Sequence, residues 1–303
     1  METLDKYYKS NIYSSVFKPG LFNGKTIVVT GAGSGIGRCT AHELANLGAS
    51  LVLIGRDIAK LEAVFAELKA NYPDALISMY SCDIRLEDSV EQALSAAFEI
   101  HGRFDALVNN AGGQFPMPLE YISLKGWEAV IKTNLTGGFI MAKAVQALWM
   151  KQNGGAIVNI IADMWSGMPG MGHSGAARAG MLNFTETAAC EWASQGIRVN
   201  AVAPGWIASS GLDTYDETMK AQLRRLRDSV PLRRLGLEAE VSAAIVFLLS
   251  PAANFITGTC LRVDGGVPNA RHTWPAQPMS NDSASVCAFD GFALAKRPKM
   301  LDE

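Results

Sequence analysis

A run of glycines directly after a short apolar segment has the clearest capacity for chemistry in this sequence. The apolar segment is 27–29, and glycines follow at positions 31, 33, 35 and 37, just before a stretch with helical character. A strand that passes into a helix across glycines lets a pyrophosphate approach the backbone, because no side chain obstructs it and the first N–H groups of the helix face the anion. The run therefore predicts a dinucleotide-binding loop; the alternative is a glycine-rich turn that binds nothing.

The second apolar run, 50–54, is followed by a cation that bears on the choice of dinucleotide. Gly55 and Arg56 come first, and Asp57 follows them. In dinucleotide-binding folds an acidic residue at this point accepts the ribose hydroxyls of NAD, whereas a nearby cation accommodates the 2′-phosphate of NADP. Asp57 is better placed to cap the next helix. We therefore expect NADP(H), with a solvated turn arginine as the alternative reading of Arg56.

Apolar runs alternate with amphipathic segments along most of the chain. Beyond the first two runs, buried strands are predicted at 76–81, 106–109, 156–161, 197–203 and 260–263. Helices are predicted after each of the first two strands, and then at about 86–101, 125–151, 174–195 and 239–250. Such alternation is typical of an α/β protein with a single doubly wound parallel sheet, here seven-stranded, with helices on both faces, which is the Rossmann fold.

The ends of the chain differ in character from its middle. Residues 1–24 read as an N-terminal arm, and 25–266 as the Rossmann domain. Residues 267–303 contain prolines and a serine-rich run, so we predict an irregular C-terminal extension. This extension could pack across a neighbouring subunit or remain partly disordered.

Composition argues against several functional classes. The chain has 303 residues and a net charge of −2, which gives no reason to expect nucleic acid or an anionic membrane as a partner. It lacks an apolar run of about 18 residues, and residues 1–20 lack the apolar core of a secretory signal, so we expect a cytoplasmic protein. The five cysteines and four histidines show neither pairing nor ligand spacing, which argues against a disulfide framework and a metal site.

The sequence resembles the short-chain dehydrogenase/reductase family in four motifs: T-G-x-x-x-G-x-G over 30–37, N-N-A-G over 109–112, P-G at 204–205 and V-D-G-G over 263–266. The resemblance spans about 25–266 and implies a nicotinamide cofactor, with Asp83 and Ile84 against the adenine, and a homodimer or homotetramer. The cofactor contacts expected on this basis are Gly31, Ser34, Gly35, Ile36, Gly37, Arg56, Asp83, Ile84, Asn109, Ala111, Gly112, Arg178, Pro204, Gly205 and Ile207.

The expected catalytic residues of that family are mostly absent. Asn134 matches the family's asparagine, which holds a proton-relay water, but the family's serine, tyrosine and lysine fall at Ala162, Ser174 and Arg178. A serine hydroxyl is a poor acid and arginine is permanently charged, so these residues disfavour simple carbonyl reduction. Arginine can still stabilise a developing oxyanion.

Two segments, 173–180 and 112–115, narrow the resemblance to the peroxisomal trans-2-enoyl-CoA reductases and the related 2,4-dienoyl-CoA reductases. These enzymes use NADPH to reduce a carbon–carbon double bond conjugated with a thioester. The resemblance therefore implies an NADPH-dependent reductase whose small-molecule substrate is an enoyl-CoA thioester. Arg178 and Asn134 are the main catalytic candidates, and Ser174 is secondary.

The proton donor is open between Asp163, a water held by Asn134, and His173. Asp163 could equally be a turn carboxylate, and His173 a structural histidine. A group of arginines could bind the phosphates of coenzyme A or be solvated; it comprises Arg224, Arg225, Arg227, Arg233 and Arg234. Two rival functions remain. The first is an NAD(P)-dependent dehydrogenase of an alcohol or carbonyl, such as the terpenoid citronellol, with atypical catalytic residues. The second is a nucleotide-binding protein without catalysis.

Overall fold

The strands of the protein lie in one large and one small parallel sheet. The computed structural model describes residues 13–214, 220, 226, 228–269, 291–296 and 298–301. Its strands are β1 (Thr26–Thr30), β2 (Ser50–Gly55), β3 (Ile77–Ser81), β4 (Ala106–Asn109), β5 (Gly155–Ile160), β6 (Ile197–Pro204), β7 (Ile207–Ala208), β8 (Gly236–Leu237) and β9 (Cys260–Val263). The large sheet has the order β3-β2-β1-β4-β5-β6-β9, with every pair parallel, and β7 pairs with β8.

Helices cover both faces of the large sheet. They are α1 (Gly35–Asn46), α2 (Ile58–Asn71), α3 (Glu87–His101), α4 (Leu124–Ile131), α5 (Gly137–Val145), α6 (Lys151–Asn153), α7 (Gly172–Glu191) and α8 (Glu238–Leu249). One apolar core joins α1, α2 and α8 to the sheet, and a second joins α3, α5 and α7 to its other face. The predicted seven-stranded doubly wound fold is therefore confirmed.

The strands form where the sequence is apolar without interruption, because both faces of this sheet are covered. Ile27, Val28 and Val29 are all fully buried in β1. The carboxyl ends of parallel strands all lie at the same edge of the sheet, so the loops that follow β1, β2, β4, β5 and β6 meet there.

Two details depart from the predicted elements. The helix predicted at 125–151 is interrupted by two π-helical turns, Lys132–Thr136 and Gln146–Met150. The β7–β8 pair was not predicted, because its strands are two residues long and carry no periodic signal. The predicted cap is confirmed: the Asp57 carboxylate accepts a hydrogen bond from the Lys60 N–H at 3.3 Å.

The described parts of the two chain ends pack together on this chain's own helices. The rings of Tyr13 and Phe292 stack with centroids 5.7 Å apart, and the Ser14 N–H donates to the Gly291 carbonyl at 2.7 Å. The Arg38 guanidinium, on α1, lies 4.9 Å from the centre of the Phe292 ring and donates to the Leu294 carbonyl at 2.9 Å. The described residues of the C-terminal segment therefore cover part of the surface of α1.

The C-terminal segment continues to the loop that follows β7. The backbone N–H groups of Lys299 and Met300 donate to the Asp213 carboxylate at 3.2 and 3.3 Å. The Met300 side chain is buried against Leu212. The segment 291–301 therefore contacts both α1 and the region after β7.

No helix in the described ranges is long and apolar enough to cross a membrane. Among the same residues, no group of three or more histidine, cysteine or acidic side chains is arranged to hold a metal ion.

Phe292→Ala tests whether the contacts of the C-terminal segment stabilise the fold. The ring is 2% exposed, so its removal leaves a cavity, and we expect the free energy of unfolding to fall by about 3–5 kcal/mol. Denaturant unfolding of both proteins measures the difference. Val16→Ala, in the N-terminal arm at 67% exposure, is the control and should change stability little. Equal effects of the two changes would contradict the assignment.

A buried carboxyl group lies between α1 and α8. Glu43 is fully buried and accepts hydrogen bonds from the Ser15 hydroxyl at 3.2 Å and from the Ser242 hydroxyl. Burial raises the pKa of Glu43 to about 7. Because the folded pKa lies above the ordinary value of 4.5, folding is favoured by protonation, and this contribution declines as the pH rises from about 4.5 through 7.

Glu43→Gln should therefore flatten the pH dependence of stability. A glutamine stays neutral, so relative to the wild type the variant should gain stability between pH 4.5 and 8, by about 3 kcal/mol at most. Unfolding free energies measured at several pH values give this difference. Glu62→Gln, an exposed carboxyl on α2, is the control. A wild-type minus variant difference that does not change with pH would refute the prediction.

Candidate active site

The glycine-rich turn after β1 has the shape of a phosphate cradle. The backbone has positive φ at Gly31 (65°) and Gly35 (55°), where residues with a Cβ are disfavoured. The side chain of Ser34, which precedes α1, does not cap that helix, so the first N–H groups are left for a ligand. A Cβ on Gly33 would lie 2.9 Å from the Lys60 Cβ. These residues fit the pyrophosphate of a dinucleotide.

A threonine hydroxyl joins this turn to the next functional loop. Thr30 Oγ1 accepts the backbone N–H groups of Asn110 at 3.0 Å and Ala111 at 2.9 Å. The Asn110 side-chain amide donates to the Thr30 carbonyl at 3.0 Å and to the Gly31 carbonyl at 3.3 Å. The end of β4 is therefore fixed against the end of β1.

Asn109 is committed to the interior of the sheet. Its side-chain nitrogen donates to Asn159 Oδ1 at 2.9 Å and to the Gly138 carbonyl at 3.0 Å, and Asn159 donates in turn to the Thr185 hydroxyl at 2.9 Å. This chain of amides links β4, β5 and α7. A cofactor contact from Asn109 remains a prediction, and its side-chain nitrogen is already engaged.

Exposed cations lie at the edge where the second strand ends. Arg56 is exposed, as is Lys60, which sequence reasoning missed because it lies one turn into α2. Asp83 pairs with Arg85, with Nε–Oδ1 and Nη2–Oδ2 distances of 2.8 and 2.5 Å, and this pairing lowers the pKa of Asp83. Ile84 is buried beside Gly137.

Asn134 and Arg178 meet at a glycine. Asn134 lies in the first π-helical turn, and its amide exchanges two hydrogen bonds with the Gly113 backbone, at 3.0 and 2.7 Å. Arg178, on α7, donates from Nη1 to the Ile160 carbonyl at 2.6 Å. A Cβ on Gly112 would lie 2.5 Å from Arg178 Nη2 and 2.7 Å from Asn134 Oδ1. A methyl group at this position would therefore require one of these two side chains to move.

The Arg178 guanidinium is desolvated but remains a cation at neutral pH. Burial lowers its pKa to about 10. Its Nε is enclosed and has no hydrogen-bond partner among the described residues. The residue as a whole is half-buried, but an enclosed charged donor without a partner is costly in free energy, so it marks a place where a ligand group would be stabilised.

Ser174 is hydrogen-bonded to Gln114, a residue to which the sequence analysis gave no role. It is fully buried, and its hydroxyl donates to Gln114 Oε1 at 2.7 Å. Its backbone N–H donates to His173 Nδ1 at 2.9 Å, and the His173 ring meets Phe115 edge to face at 4.5 Å. Gln114 lies in a segment without periodicity, so only its position two residues after Gly112 could have indicated it.

Asp163 lies at the end of β5 beside the end of β9. Its backbone N–H donates to the Pro204 carbonyl at 3.1 Å, and its Oδ1 is buried without a described partner. Burial raises the pKa of Asp163, and Asp264 adds to this effect whereas Arg262 opposes it. The charges that act on Asp163 therefore come from the end of β9, and not from Arg178.

The loop after β6 closes this side of the site. The Gly205 N–H donates to the Val263 carbonyl at 2.9 Å, and Ile207 is buried in β7. Of the arginine group, Arg234 forms two hydrogen bonds with the Glu240 carboxylate at 2.7 and 2.8 Å. Three of the remaining members lie outside the described residues, namely Arg224, Arg225 and Arg227.

Gly112→Ala should disturb the Asn134–Arg178 pair. Both distances given above are too short for a methyl group, so one side chain must move, and such overpacking typically costs about 1–3 kcal/mol. We therefore expect the affinity for a nicotinamide dinucleotide to fall about tenfold, measured by fluorescence titration. Gly113→Ala, whose added Cβ would meet nothing within 4 Å, should cause a smaller loss. Equal losses would contradict the crowding explanation.

Comparison with known proteins finds a matching family and several similar oxidoreductases. Residues 31–268 match the profile of the family described as Enoyl-(Acyl carrier protein) reductase. A probable 2,4-dienoyl-CoA reductase of Bacillus subtilis is 38% identical over 246 residues, which cover 80% of this chain and 96% of the relative. A 3-oxoacyl-[acyl-carrier-protein] reductase of Synechocystis is 41% identical over 244 residues, which cover 79% of this chain and 95% of the relative.

A solved structure extends this likeness to three dimensions. The citronellol catabolism dehydrogenase of Pseudomonas aeruginosa is 54% identical, with a TM-score of 0.76, and the match covers 84% of this chain and all of that one. The chain belongs to the short-chain dehydrogenase/reductase family of oxidoreductases, which bind a nicotinamide cofactor.

Proposed function

We propose that the protein is an NADPH-dependent reductase of the carbon–carbon double bond in an enoyl-CoA thioester. The observation that carries the proposal is the desolvated Arg178 cation beside Asn134, on a helix that has Ser174 in place of the family's tyrosine. This set cannot deliver a proton from a tuned phenol. It can stabilise negative charge that develops on a substrate oxygen.

The reaction follows from these properties. When bound, the reduced cofactor supplies a hydride, which adds to the carbon of the double bond farther from the thioester. The electron pair of that bond then moves toward the thioester oxygen and creates an enolate. Arg178 stabilises this charge through its field, which is strong because the guanidinium is desolvated. Asn134 holds the backbone of Gly113, the residue that follows Gly112.

The carbon next to the thioester must finally receive a proton. Both polar atoms of the Asn134 amide are engaged with Gly113, which makes it a weaker anchor for a water. Asp163 has an unpartnered oxygen and a raised pKa, which favours it as the donor. We therefore propose Asp163 as the proton donor in this reaction.

The preference for NADPH rests on the cations at the end of β2. Arg56 and Lys60 are exposed there, Asp57 caps α2, and Arg85 neutralises Asp83. A 2′-phosphate therefore has two cations available, while the ribose hydroxyls of NAD lack an unengaged carboxylate.

Arg56→Ala should weaken NADPH binding about tenfold or more, since hydrogen bonds to charged groups contribute about 1.5–3 kcal/mol. NADH lacks the phosphate and serves as the internal control, so its affinity should stay within about twofold. Fluorescence titration with both cofactors measures the ratio. Equal weakening of both would contradict a phosphate contact.

The function is tested by NADPH oxidation with a medium-chain trans-2-enoyl-CoA, its free acid and the corresponding aldehyde. We expect turnover of the thioester alone, and Arg178→Met should remove most of it because the charge is lost. Turnover of the aldehyde alone would refute the proposal. NADPH binding without any turnover would favour a non-catalytic nucleotide-binding protein.

A second candidate function is oxidation of a terpenoid alcohol. It is favoured by the 54% identity to the citronellol catabolism dehydrogenase. Citronellol with NADP⁺ or NAD⁺ tests it directly. If the double variant Ser174→Tyr with Arg178→Lys gains alcohol oxidation that the wild type lacks, the chain is a lapsed dehydrogenase.

A further inference from the structure

We propose that Gln114, oriented by Ser174, donates the hydrogen bond that binds the thioester oxygen of the substrate. The inference rests on the proposed enoyl reductase function and assigns a substrate contact which that function leaves open. It starts from one geometric fact: the buried Ser174 hydroxyl donates to Gln114 Oε1 at 2.7 Å. The side chain at the family's tyrosine position therefore orients another side chain, that of Gln114.

This hydrogen bond determines which atoms of Gln114 remain available. A glutamine amide has one acceptor oxygen and one nitrogen with two N–H donors, and both atoms are bonded to the same carbon, Cδ. Because Ser174 uses the oxygen, the two N–H groups of Nε2 remain, and neither has a hydrogen-bond partner among the described residues. Gln114 is an exposed residue, so a substrate can approach it.

The loop that carries Gln114 is held at the two residues that precede it. Asn134 binds both polar backbone atoms of Gly113, and Gly112 lies against Arg178 Nη2. A hydrogen-bond donor held in this way needs little reorganisation when charge develops on a bound oxygen. The Gln114 amide is therefore a preorganised donor in the field of a buried cation.

The geometry also divides the work between Gln114 and Arg178. Arg178 Nη1 is engaged with the Ile160 carbonyl, and its Nε is enclosed. In this proposal the guanidinium, whose Nη2 lies beside Gly112, contributes its positive charge, and Gln114 makes the direct contact. Gln114 is the catalytic residue at this oxygen, and Ser174 is a positioning residue.

A neutral amide suits the electron balance of the reaction. The hydride forms a new C–H bond at the far carbon, the double-bond pair shifts toward the thioester carbonyl, and the charge resides on its oxygen. An amide N–H strengthens its hydrogen bond to this oxygen but does not release its proton. The enolate therefore stays unprotonated on oxygen, and the proton is delivered to carbon.

Gln114→Leu removes the donors while keeping a similar volume. With enoyl-CoA and NADPH, we expect kcat to fall about 10²–10³-fold, as for the loss of one oxyanion donor, with KM changed by less than about threefold. NADPH affinity and the melting temperature should stay unchanged. Gln146→Leu, which removes the remote Gln146–Gln195 hydrogen bond of 2.6 Å, is the matched control and should leave kcat unchanged.

Ser174→Ala tests the positioning role. Because Ser174 acts through Gln114, the single variant should lose about tenfold in kcat, and the double variant should be no slower than Gln114→Leu alone. Losses that multiply in the double variant would overturn the positioning role. Wild-type turnover that survives Gln114→Leu would overturn the whole inference while leaving the enoyl reductase function intact. A wild type that does not reduce the thioester would overturn both.

Discussion

The hydroxyl of Thr30 is the interaction on which the rest of the site depends. It receives two backbone N–H groups from the end of β4, and so it sets the distance between the glycine-rich turn after β1 and the loop 110–114. The second of these loops carries Gly112 and Gln114, which meet side chains from two helices. A parallel sheet brings the carboxyl ends of its strands to one edge. The Thr30 hydroxyl then fixes the end of β1 relative to the loop that follows β4.

The fold could be predicted because the strands are continuous apolar runs and the first turn contains four glycines. Asp57 was predictable as a cap for the same local reason. By contrast, Gln114 and Lys60 acquire their positions only through tertiary contacts with Ser174 and Gly33, which no short-range pattern encodes. The π-helical turn around Asn134 was missed because an insertion of one residue per turn leaves the apolar pattern almost unchanged.

We infer that Ser174 and Arg178 occupy the positions of the family's tyrosine and lysine, an exchange that would change the chemistry of the site while preserving the scaffold. Arg178 keeps a positive charge at the end of β5, and its larger fork occupies the space left open by Gly112. An arginine holds its proton where a lysine can lose it on burial. The site therefore keeps its charge under desolvation, at the expense of proton transfer. Such local conflict between stability and environment is common at functional sites.

The segment 291–301 has a consequence for the limits of the folding unit. The family match ends at residue 268, yet Phe292 covers Cys39 and Ala239, and Met300 covers Leu212. A recombinant fragment trimmed to the matched region would expose apolar surface on α1 and beside the loop after β7. The contacts of the described residues in 291–301 therefore extend the packed unit beyond the region that the family profile matches.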